Sequence, residues 1–81
     1  MTKQQTLTET QWYVGVTGKK GAIPDDATVM RLLETAGCQE IEALGHGTAQ
    51  ARVPAEWADA VEREGHFSTE AAGWRVDLDL P

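Results

Sequence analysis

The sequence predicts an α+β domain: a four-stranded antiparallel sheet with two helices on one face, in the βαββαβ order of the ferredoxin-like arrangement. Three observations lead there. Trp12, Val14 and Val16, then Ala49, Ala51 and Val53, then Trp74, Val76, Leu78 and Leu80, each alternate with polar or small residues, which is the period of a strand. Val29, Leu32, Leu33 and Ala36, and later Trp57, Ala58 and Val61, recur instead at helical spacing. The connections are short, and right-handed crossovers between them leave the split βαβ topology, with the first and third strands central.

Residues 1–10 are rich in Thr and Gln and lack periodicity, so they read as a flexible tail ahead of a single domain over residues 11–81. The first strand runs from Gln11 to Thr17. Both of its faces carry aromatic or β-branched residues, as a central strand requires. Gly15 within it predicts a close backbone approach or a bulge. Gly18-Lys19-Lys20-Gly21 is a solvated turn. A phosphate loop is excluded, because Tyr13 stands where its first glycine belongs and Lys20 where Ser or Thr belongs.

The first helix opens at Pro24-Asp25-Asp26, with an Asp as N-cap, and ends at Gly37. Glu40 to Leu44 forms a short strand with Ile41 and Ala43 inward and Glu40 and Glu42 outward, a pattern that protects a sheet edge. Gly45-His46-Gly47 turns the chain into the third strand, making a hairpin. That strand meets the second helix at Pro54, whose missing N–H suits a first turn, and Gly65 stops the helix. His66 to Gly73 has Phe67 as its only large apolar residue and reads either as a loop or as an irregular extra strand.

Eighty-one residues bound one small domain, and the 41% hydrophobic content with interleaved charge makes it globular. Seven Lys and Arg against 13 Asp and Glu give a net charge of −6, which disfavours phosphate-backbone binding, so no nucleic-acid partner is expected. No run approaches the roughly 20 apolar residues that span a bilayer, so no membrane partner is expected. Met1 to Gln11 lacks an apolar signal segment, and a lone Cys38 excludes an internal disulfide. Together they predict a reducing, cytoplasmic location.

The carboxylate pairs Asp25/Asp26, Glu40/Glu42, Glu62/Glu64 and Asp77/Asp79 read as solvated surface, and Asp59 with Arg63 as a helical ion pair. His46, His66 and Cys38 show none of the local ligand spacings that pre-organise zinc. No metal, no cofactor and no catalytic residue is expected. Trp12, Trp57 and Trp74 sit at inward positions and build the core, with a ligand-stacking platform as the alternative.

Trp12-Tyr13-Val14-Gly15-Val16, the helix ending at Gly37 with Glu40-Ile41-Glu42-Ala43-Leu44 after it, and the glycine-led stretch from Gly47 to Val61 together resemble the subtilisin propeptide and proteinase inhibitor family. The resemblance covers roughly residues 12–64. It implies a sheet docked on a subtilisin-type protease with the C-terminal tail in the substrate cleft. Matched by position, that tail is Asp77, Leu78, Asp79, Leu80 and Pro81, while strict alternation from Trp74 to Leu80 predicts a sheet strand over the same residues. A chain beginning at Met1 is expected to be a free inhibitor or folding assistant rather than a propeptide. The expectation is therefore a protein–protein interaction domain and not an enzyme, with a propeptide-like protease inhibitor or folding assistant leading. The alternative is a small acidic adaptor or blocker of a basic partner.

Overall fold

The computed structural model describes residues 6–79. Their elements are β1 (Trp12–Thr17), a single 3₁₀ turn (Lys19–Gly21), α1 (Asp26–Thr35), β2 (Gln39–Gly45), β3 (Thr48–Arg52), α2 (Ala55–Glu64), β4 (Phe67–Ala71) and β5 (Trp74–Asp79). The strands form one antiparallel sheet in the order β2-β3-β1-β5-β4. The sheet therefore has five strands, which corrects the four-stranded ferredoxin-like expectation.

The additional strand is β4, folded back on β5 through Ala72 and Gly73. Both turn residues have positive φ, 51° and 85°, as a two-residue type I′ hairpin turn demands. Its inward positions carry Phe67, Thr69 and Ala71, too little apolar side chain to announce a strand by pattern alone. The missing stabilisation comes from outside the segment. The Phe67 ring stacks on Trp57 of α2, with centroids 4.9 Å apart and planes 20° from parallel. With β4 in place, β5 becomes an interior strand, and the sheet edges are β2 and β4.

One face of the sheet is buried. Across it, Trp12 pairs with Ala51, Val14 with Ala49 and Leu78, and Val16 with Val76. Val29, Leu32 and Leu33 of α1 and Trp57, Ala58 and Val61 of α2 complete the cluster. The opposite face carries Tyr13, Gly15, Thr17, Thr48, Gln50, Arg75 and Asp77 and has no helix over it. Gly15 lies on this open face in unbroken register, with no atom within 4 Å of a Cβ placed there. Neither the expected close approach nor a bulge is present.

Both helices end as the sequence predicts. The Asp25 carboxylate accepts from the Thr28 backbone N–H at 2.9 Å, capping α1. At the other end Cys38 N–H donates to the Leu33 carbonyl and Gly37 N–H to the Glu34 carbonyl, a Schellman closure about Gly37 at φ 101°. Pro54 precedes α2 and offers no side-chain cap; instead Ala55 N–H donates to the Thr6 carbonyl at 2.8 Å. Thr8 N–H in turn donates to the Val53 carbonyl at 2.9 Å, and Leu7 bridges antiparallel to Pro54. Residues 6–8 of the segment read as a tail thus line the strand-to-helix junction. In the β2–β3 turn, Gly47 has φ 75°, and a Cβ there would stand 2.6 Å from the Val16 carbonyl oxygen, so only glycine fits.

Trp57 is 6% exposed and stacked, so Trp57→Ala should cost about 3–5 kcal/mol, a large share of the stability of a domain this size. A denaturant midpoint close to the parent's would contradict that packing. Gly15→Thr, by contrast, puts a β-branched residue into open space on an interior strand and should raise stability by about 0.5–1 kcal/mol. A lowered melting temperature would show that the open face is more constrained than its geometry implies.

Candidate functional site

The C-terminal residues implied by the resemblance belong to the sheet as far as they are described. Asp77, Leu78 and Asp79 pair with Gly15, Val14 and Tyr13 of β1. Leu78 is 4% exposed and part of the core, and Asp77 faces the open side, where its carboxylate takes the Arg75 Nε at 3.2 Å. Leu80 and Pro81 lie outside the described residues.

The remaining titratable side chains are dispersed. Arg52 bonds Glu40 at 2.8 Å through one terminal nitrogen and donates through Nε to the Thr8 carbonyl at 2.7 Å. The expected Asp59–Arg63 ion pair is not formed; Arg63 Nε leans on the backbone carbonyl of Asp59 at 3.4 Å, the long-bond alternative open to a solvated helical arginine. The Thr28 hydroxyl and then its backbone N–H hold the Asp25 carboxyl below its usual range, which serves the helix cap. His46 sits exposed at the hairpin tip, and His66 is exposed directly after the α2 cap. Among the described residues no group of three or more His, Cys, Asp or Glu is placed to hold a metal ion.

Cys38 is buried at the end of α1, and desolvation raises its thiol from 9.0 to about 11. Burial is the cause of that shift, and no neighbouring charge contributes to it.

What the sheet does present are two unlike edges. In β2 the register with β3 slips twice, between Gln39 and Glu42 and between Ala43 and Gly45, and Glu40 adopts φ 53° inside the first slip. Bulges and outward Glu40 and Glu42 blunt that edge against further pairing. In β4 the register with β5 runs without a break from Phe67↔Leu78 to Ala71↔Trp74, and Glu70 is the only charge. The two-residue turn makes Ala71↔Trp74 the closing pair. Alternation then sends the N–H groups of Ser68 and Glu70 outward, away from β5. The sequence pattern left this segment open between a loop and an irregular extra strand; the alternation Phe67, Thr69, Ala71 before an Ala-Gly turn and a clear strand was the signal that favoured the strand.

The geometry defines a class: a two-layer α+β domain with a five-stranded antiparallel sheet, one face covered by two helices and one left open. No family model, no curated protein and no solved structure matches the chain. The resemblance to the propeptide family accordingly rests on residue types alone. Among the described residues, no helix is long and apolar enough to cross a membrane.

With its proton held to about pH 11, Cys38 should resist Ellman's reagent in the native protein and react once denaturant exposes it. The same raised value predicts stability that is intact below pH 9.0, the thiol's ordinary value, and falls as pH rises toward 11, because the unfolded chain ionises first. Rapid labelling at neutral pH, or loss of that alkaline trend relative to Cys38→Ala, would disprove the burial.

Proposed function

We propose that this chain is a protein–protein interaction domain that takes an extended segment of its partner as a further strand along β4. One observation carries the reading: β4 is a regular, unbulged edge with a single charge, whereas the opposite edge, β2, is broken twice and doubly acidic. An unprotected edge is a template for pairing, and soluble proteins otherwise blunt it. Main-chain bonds from Ser68 and Glu70 supply affinity to an added strand, and alternate side chains of the partner read the two faces of the sheet.

A propeptide-like protease inhibitor or folding assistant is the narrower form of this proposal, since proteases themselves bind extended segments. Leu78 is committed to the core, so the contact in this form runs through β4 and the open face. A cytoplasmic site of action is part of the proposal, supported by the single buried thiol. The second reading, an acidic blocker of a basic partner, is favoured by the net charge of −6.

Glu70→Pro separates these readings, because it removes an outward donor while leaving the β4–β5 pairing unopposed. Partners captured by the full chain from lysate should be lost from Glu70→Pro at an unchanged melting temperature, with retention on the parent insensitive to salt. A partner that survives Glu70→Pro but is released by salt supports the acidic blocker and defeats strand addition. Assay of a subtilisin-type protease tests the narrower form: inhibition by the parent, lost in Glu70→Pro, supports it, and absence of inhibition by the parent removes it.

A further inference from the structure

The two helices cover the sheet unevenly. Trp57 of α2 stacks on Phe67 at one end of the β4–β5 hairpin, but at its turn end a cavity of about 420 Å³ opens between the hairpin and α1. Arg31, Leu32 and Thr35 line it from the helix, and Ala71, Ala72 and Trp74 from the hairpin. That volume falls within the range of small-molecule sites, roughly 300–1,000 Å³, which are likewise mostly apolar with a few polar groups.

Three features distinguish this cavity from an ordinary gap between elements. Its aromatic wall is braced from behind: a Cβ at Gly18 would lie 2.7 Å from Cζ3 of Trp74, so the ring packs directly on the backbone there. Ala72 occupies a turn position at φ 51°, where Asn or Gly is the relaxed choice, and it lines the cavity. Finally, Arg31 stands at the cavity with no carboxylate in ion-pair contact among the described residues, whereas Arg52 and Arg75 are engaged by Glu40 and Asp77. Its charge is felt by Asp25 at the α1 N-cap, but not through a direct contact. A guanidinium beside an apolar, Trp-walled space is locally complementary to an anion with an apolar body, against the overall charge of −6.

We infer that this cavity binds a small amphipathic monocarboxylate, an aryl- or alkyl-carboxylic acid. The apolar body lies against Trp74, Leu32 and Ala71, and the carboxylate is taken by Arg31, with the Thr35 hydroxyl on the same wall. The site is separate from the outer edge of β4, and occupancy of either does not require the other.

The probe is 4-phenylbutyrate, titrated into the full chain while backbone amide and indole N–H chemical shifts are followed. Saturable shifts should concentrate at residues 28–36 and 71–74. Replacing the acid by 4-phenylbutan-1-ol, or the protein by Arg31→Gln, should weaken binding by about tenfold or more, the value of one charge-assisted hydrogen-bond pair. Arg31 is exposed, so Arg31→Gln should melt with the parent. Glu70→Pro should bind the acid as the parent does. Equal affinity for acid and alcohol, or for the parent and Arg31→Gln, overturns the carboxylate assignment. Absence of saturable shifts, or shifts centred elsewhere, overturns the site.

Discussion

The structure depends on closing one face of the sheet over Trp12, Val14 and Val16 of β1. β1 is the only strand with β3 on one side and β5 on the other, so every other element is placed by what it adds to that row. Ala49 and Ala51 stand opposite Val14 and Trp12, and small side chains there leave room for the fully buried Val29 and Leu33 of α1. On the other flank Val76 and Leu78 meet Val16 and Val14, under Trp57 and Val61 of α2. A chain this short buries only a modest fraction of its surface, so loss of one large side chain from this layer is felt throughout.

The junction at Val53 and Pro54 links the sheet to α2 without a loop. Both residues are buried, and Pro54 supplies neither donor nor side-chain cap. The open backbone groups around it are met by residues 6–8, which pair with residues 53–55. The Thr8 hydroxyl accepts from Val53 N–H at 3.2 Å, and the Thr8 carbonyl accepts from Arg52. This accounts for how a helix can begin at a proline directly after a strand: its first orphan donor is satisfied from a distant part of the chain.

The surfaces available for function follow from the same arrangement. Covering one face leaves Tyr13, 45% exposed, and a lattice of Thr, Gln, Arg and Asp on the other. Adding β4 moves the accessible edge from β5 to β4 and creates the hairpin turn that walls the Trp74 cavity. Both the open β4 edge and the cavity are therefore products of one hairpin, built on the segment with the weakest pattern in the chain.

Local signals were sufficient for β1, α1, β3, α2 and β5, for the Asp25 and Gly37 caps and for the β2–β3 turn, because alternation, helical spacing and capping chemistry are written over a few adjacent residues. They also placed Glu40 and Glu42 on a protected edge. Only tertiary structure decided the fate of residues 67–71, since one Phe among small and polar residues does not make a strand until Trp57, ten residues earlier in sequence, gives its ring a partner. The same holds for residues 6–8, whose pairing with 53–55 has no periodicity to betray it, and for Gly15, whose freedom depends on what stands across the sheet. The cavity beside Arg31 joins residues some forty positions apart, and no local pattern in either stretch encodes the space between them.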